Sequence, residues 1–199
     1  GFKGAKFLQN YWGVDTNDTR YKAYFETLVA LDLHLIIHIG SESSVHSYKD
    51  YESITMLKQP LEMGVKVICA HMALGYEKDQ FFRALRKNPK YYNQEYFTLL
   101  EMLQTYEHLY ADISAILTPV RAKVLRHLSM QKEIHHKLLF GTDYPVPFTI
   151  FLNSYDLSLW KRLRIVVEKN AFDRYAKAIL EYFPKESMIY TNYQKIIKG

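Results

Sequence analysis

Three short apolar runs, each stopping at a polar residue able to do chemistry, constrain the fold of this chain more than any other feature. Leu138-Leu139-Phe140-Gly141 leads into Thr142-Asp143-Tyr144-Pro145. Leu35-Ile36-Ile37 ends at His38, and Val67-Ile68-Cys69-Ala70 ends at His71. Runs this short and this apolar read as parallel strands buried on both faces. Polar residues at the carboxyl ends of such strands gather where α/β enzymes keep their chemistry. Two imidazoles and one carboxylate converging on one rim are the donor set of a metal site.

Helical patterns alternate with these strands. Strands are expected over residues 2–8, 34–39, 65–70, 109–112 and 137–141. Helices are expected over 19–31, with Asp18 or Asn17 as cap, over 51–63, ended by Gly64, and over 77–87, 93–108 and 119–131. Beyond Pro147 the pattern is helical, with breaks near Asn170 and Pro184. This alternation predicts an α/β fold of parallel βα units, five strands in all, with residues 1–199 forming one domain. An open five-stranded sheet and a section of a larger barrel both satisfy it.

Composition narrows the function. The 48% hydrophobic and 24% charged content is that of a soluble globular protein. The net charge of +5 is spread along the chain, so it reads as a surface biased toward anions and not as a nucleic-acid footprint. The single cysteine, Cys69, lies inside an apolar run. It excludes an internal disulfide, agrees with a reducing compartment and reads as a small buried residue. No apolar run approaches membrane-spanning length and no signal peptide is expected before the first strand, so the expected location is cytoplasmic, with neither membrane nor nucleic acid as partner.

A lone histidine ending a strand is most often a satisfied core residue, and a lone aspartate a turn cap. Three such residues, His38, His71 and Asp143, at three strand ends point instead to a shared site. His34 precedes His38 by four residues on the same strand face, about 13 Å away, and reads as structural. Asp112 closes the 109–112 strand and is divided evenly between lining the pocket and capping its own loop. Lys6, His46 and Arg121 are candidates for substrate contact. There is no Gly-rich phosphate loop, no Gly-x-Ser-x-Gly elbow and no Cys-x-x-Cys pair.

In order along the chain, Gly4-Ala5-Lys6, Ile37-His38-Ile39-Gly40, Ala70-His71-Met72, Tyr110-Ala111-Asp112-Ile113-Ser114 and Phe140-Gly141-Thr142-Asp143-Tyr144-Pro145 resemble the amidohydrolase superfamily. The specific branch is the one that includes aminocarboxymuconate semialdehyde decarboxylase and other metal-dependent hydrolases. The resemblance implies a metal-dependent-hydrolase TIM barrel of which these are the fourth to eighth strands, so that the chain is a partial, carboxyl-terminal barrel followed by helices. It implies a divalent metal, zinc or alternatively manganese, with His38, His71 and Asp143 as ligands. Asp143 would also take the proton of the attacking water, and His71 would stabilise charge on the substrate. Lys6, Asp112 and His46 would line the substrate pocket. The family's first-strand His-x-His pair has no counterpart here. The implied activity is hydrolysis of an amide, lactone or other ester of a small molecule by metal-activated water. The alternatives are non-oxidative decarboxylation of a small carboxylate, or a metal-free remnant serving as a binding subunit. Sheet edges left by absent strands need covering, and a homo-oligomer is expected.

Overall fold

The computed structural model describes residues 1–41, 46–76, 88–154 and 156–197. Five parallel strands form one sheet in sequence order: β1 (Gly4–Phe7), β2 (His34–His38), β3 (Lys66–Ala70), β4 (Leu109–Asp112) and β5 (Leu138–Leu139). The helices are α1 (Gln9–Trp12), α2 (Lys22–Ala30), α3 (Lys58–Glu62), α4 (Gln94–Thr105), α5 (Leu125–Met130), α6 (Ile150–Asn153), α7 (Leu159–Val166), α8 (Ala171–Leu180) and α9 (Tyr193–Ile196). The helix expected over 77–87 lies outside the described residues. None of the described helices is long and apolar enough to cross a membrane.

The register explains both the core and the rim. Phe7 pairs with Ile37, Ile37 with Cys69, Cys69 with Ala111 and Ala111 with Leu138. This row is buried beneath the helices together with Phe25, Leu57, Leu99 and Phe183. Each of the Leu, Ile and Phe side chains among them contributes roughly 1.5–3 kcal/mol by leaving water. The alternate row, Lys6, Ile36, Ile68 and Tyr110, faces the other way. There Ile36, Ile68, Tyr110 and Leu139 pack with Ile196 of α9. Because all strands run parallel, His38, His71, Asp112 and Asp143 come to the same edge of the sheet.

The outer edge of β5 is held by the carboxyl-terminal segment. Phe140 N donates to Ile189 O at 3.0 Å, and the Asn192 amide donates to the carbonyls of His135 and Leu138, both at 2.8 Å. Backbone groups that would template aggregation are thereby occupied. At the opposite end of the strands, an added Cβ on Gly4 would meet the His34 ring at 2.5 Å. His34 is buried at the amino end of β2, away from the functional rim.

Three expected elements differ. Residues 51–63 form two 3₁₀ turns, Lys49–Tyr51 and Ile54–Leu57, before α3. Pro60 has no N–H to offer the carbonyl of Met56, so an α-helix cannot continue back through it. That carbonyl accepts Thr16 Oγ1 at 2.5 Å instead. Residues 119–124 are irregular, and only Leu125–Met130 is α-helical. Buried Lys123 gathers the carbonyls of Pro119 and Arg121, both at 2.7 Å, while Asn153 binds those of Thr118 at 2.9 Å and Ile116 at 3.3 Å. These side-chain bonds replace the helical ladder. Finally, β5 is only two residues long, although bonds from Ile113 N to Leu139 O (3.0 Å) and from Ala115 N to Thr142 O (3.3 Å) carry the contact onward.

Candidate functional site

The turns leaving β3, β4 and β5 are strained. Among the described residues, the non-glycine positions with positive φ are Asp32 and five at this rim: His71 (55°), Met72 (56°), Ala73 (54°), Ala115 (50°) and Asp143 (58°). Left-handed backbone costs roughly 1–2 kcal/mol for each such residue, and it persists where the surroundings over-determine it. Its concentration at one edge singles that edge out as the candidate site.

His71 is the best-defined residue of the site. Its ring is buried, and Nδ1 lies 2.8 Å from Ser114 Oγ and 3.1 Å from Ser114 O. A carbonyl only accepts, so Nδ1 carries the proton, and in the neutral ring Nε2 is left with a lone pair. Nε2 sits 3.6 Å from Asp143 Oδ2. Asp112 completes the frame. Its Oδ1 accepts from His71 N at 3.0 Å, from Ser114 N at 2.9 Å and from Ser114 Oγ at 2.5 Å. Burial by itself pushes the Asp112 carboxyl up. The His71 ring N–H, the Ser114 hydroxyl and the His71 amide together outweigh it and hold Asp112 at about 2.

His38 stands beside this frame, its ring centroid 5.2 Å from that of His71. Tyr11 stacks over it at 6.4 Å. Gln9, fully buried, donates through its amide to the carbonyl of His38 and to that of Tyr51 at 3.1 Å. Burial lowers the His38 pKa to about 3, and the neighbouring charges of His71, Arg121 and Lys6 push it the same way. His38 is therefore neutral at physiological pH, the form in which imidazole ligates a metal.

The rim's two loops are also locked together. Tyr76 N donates to Ser41 O at 2.9 Å and Ser41 Oγ to Tyr76 O at 3.0 Å. Gly40 has φ +94°, and a Cβ there would meet the Gly75 backbone at 2.9 Å. Gly40→Ala is expected to destabilise the chain by about 2 kcal/mol through that contact and the left-handed strain. An unchanged urea midpoint would show that the loops part without cost.

The structure brings His38, His71, Asp112 and Asp143 together. Lys6 is exposed on β1, and its charge reaches His38. Arg121 is buried, and its charge also bears on His38. His46 is exposed, with its ring edge-on to Tyr48 at 4.9 Å, outside that cluster. Gln9 and Tyr11 were not singled out by sequence reasoning. The only signal they offered was polar and aromatic residues directly after an apolar strand.

A divalent ion is tested by these distances. Two donors on one tetrahedral zinc, each at about 2.0–2.1 Å, lie about 3.4 Å apart. The 3.6 Å between His71 Nε2 and Asp143 Oδ2 matches that spacing. Both are electron-rich atoms with no proton to share between them when the ring is neutral, an arrangement that a cation satisfies. Among the described residues no three His, Cys, Asp or Glu side chains form a metal-holding group, so the fit is that of a pair with His38 adjacent.

Comparison with known proteins places this arrangement. The solved structure of a protein assigned as a 2-pyrone-4,6-dicarboxylic acid hydrolase from Pseudomonas putida is similar over 92% of this chain and 64% of its own, with 14% identity and a TM-score of 0.51. That of a 5-carboxyvanillate decarboxylase from Sphingomonas paucimobilis is similar over 99% of this chain and 58% of its own, with 13% identity and a TM-score of 0.50. The chain thus spans about three fifths of either relative, and at these identities the likeness establishes the fold: consecutive βα units of a TIM barrel, five of them here. No curated protein matches the sequence. The amidohydrolase family model covers residues 1–150, which take in β1 to β5 and the whole rim just described. With 150 of its 199 residues so matched, the chain belongs to the amidohydrolase family.

Proposed function

We propose that this chain carries the catalytic rim of a metal-dependent hydrolase whose water attacks an amide, lactone or other ester carbonyl of a small molecule. The observation that carries the reading is the facing pair, His71 Nε2 and Asp143 Oδ2, 3.6 Å apart with neutral His38 beside them. His71 and Asp143 would hold a divalent ion between them, with His38 the adjacent nitrogen and zinc favoured by an imidazole–carboxylate pair. When bound, such an ion polarises a carbonyl and brings the pKa of water from about 15.7 toward 7.

The chain's own residues do the rest. Asp143 projects from a left-handed residue and is one-third exposed, open enough to meet water and accept its proton. His71 is held in one tautomer by Ser114 and Asp112, so the lone pair on Nε2 keeps its direction through the reaction. Burial keeps His38 from competing for the proton. Arg121 and Lys6 make the surroundings of His38 electropositive, which supports a substrate bearing a carboxylate. That feature serves equally a lactone carboxylate to be hydrolysed and a carboxylate to be removed, so decarboxylation stands as the second reading.

The test is calorimetric titration of zinc and manganese into chelator-treated protein, followed by assays on a carboxylated lactone, an amide and an aromatic carboxylate. One ion bound per chain with lactone or amide turnover is the expected result. Release of CO₂ from the aromatic acid without ester cleavage would favour the second reading. No binding at micromolar metal would remove both and leave the binding-subunit alternative.

A further inference from the structure

Asn93 breaks a local rule at a telling place. It occupies the N-cap position of α4 with the extended backbone a capping residue needs (φ −72°, ψ 154°), yet its side chain caps nothing. Its Nδ2 donates instead to the carbonyl of Ala73 at 2.9 Å, 20 residues away, and its Oδ1 is buried with no hydrogen-bond partner. An asparagine selected for the helix alone would turn that oxygen to the first-turn N–H groups.

Ala73 is the last of three consecutive left-handed residues, His71, Met72 and Ala73, none of them glycine. Such a turn relaxes unless it is held from several sides. Leu74 N bonds His71 O at 3.0 Å, closing the turn on itself. Asp112 holds its first amide at 3.0 Å, and the Met72 side chain is fully buried. Among the described residues, the side-chain anchor on the carbonyl at its far end comes from Asn93, at the head of α4. The direction of the His71 imidazole depends on the handedness of this turn, because His71 is its first residue.

We propose that Asn93 is a positioning residue for His71: its amide pins the left-handed turn from the α4 side and so keeps Nε2 aimed at Asp143. The helix cap is forgone for the sake of the rim, as happens where local preference yields to a functional site. This inference rests on the reading of His71 as a functional residue of the rim.

The test uses Asn93→Asp, which matches the size and caps helices well but has no donor for Ala73 O, and Asn93→Ser, which caps and is too short to reach. Both variants are expected to keep or raise the thermal midpoint. In both, ¹⁵N spectra of the His71 ring should shift from the single Nδ1–H tautomer toward a mixture, and zinc affinity should fall by about 10- to 100-fold. Ring shifts and zinc affinity within twofold of the parent would overturn the proposal. So would lower midpoints in both variants with unaltered ring shifts, the signature of a purely structural residue. If the parent protein itself binds no zinc, the metal reading fails, while the ring shifts still decide the role of Asn93.

Discussion

Replacing Asp143 by asparagine is expected to lower zinc affinity by ~100-fold and to leave the thermal midpoint close to that of the parent protein. The argument is geometric. Asp143 supplies the oxygen that faces His71 Nε2 at 3.6 Å, and among the described residues no three His, Cys, Asp or Glu side chains form a metal-holding group that could replace this pair. An amide oxygen carries no net charge and cannot accept the water proton. Asparagine is also the residue that best tolerates the φ of +58° at this position, so folding should be spared. Asp143→Ala, by contrast, combines loss of the ligand with left-handed strain of about 1 kcal/mol. Metal content measured on both variants after chelation and reloading separates the two contributions. Equal zinc stoichiometry and affinity in the parent and Asp143→Asn would mean that the ion, if any, sits elsewhere.

Acid is expected to unfold this chain through His38. Its pKa is about 3 when folded, against an ordinary value of 6.5, so below pH 6.5 the unfolded chain binds a proton that the folded chain refuses. The stability associated with neutral His38 is present above pH 6.5 and is lost as the pH falls from 6.5 toward 3. Between pH 7 and pH 4.5 the loss from His38 amounts to about 2–3 kcal/mol, at roughly 1.4 kcal/mol per unit. Asp112, folded with a pKa of about 2, loses its own contribution only at lower pH, as its carboxylate protonates below 3.8, whereas His34 and His127, whose pKa values burial also lowers, add to the loss in the same window. Urea unfolding at the two pH values, for the parent and for His38→Gln, measures the effect. The variant should show a visibly shallower pH dependence, by the share that His38 contributes, and the same slope in both proteins would assign the acid sensitivity to the other buried histidines.

The parts of the fold that were legible are those set by neighbours in sequence. An apolar run closed by His38, His71 or Asp143 is a local pattern, and the parallel order of strands follows once helices separate them. The boundaries of β4 and the helix break near Asn170 are of the same kind: a short alternating run, and an asparagine that the structure shows accepting from Phe172 N at 2.9 Å at the head of α8. The first half of the helix expected over 119–131 is absent because its register competes with buried Lys123 and Asn153, whose partners are carbonyls of the same loop. Helical spacing alone gives no sign that a lysine will turn inward.

From residue types and periodicity came the five parallel strands, their direction, and the four side chains that meet at one rim, since strand period and chain direction together decide where a strand's last residue goes. Tertiary structure alone decided how those side chains face one another. The left-handed turn at His71, the tautomer imposed by Ser114 and Asp112, the burial that neutralises His38, and the diversion of Asn93 from its helix all join residues separated by many positions in the chain. Each costs backbone strain, desolvation or a lost local bond, which no short window of sequence favours. They persist because packing around the rim offsets those costs collectively.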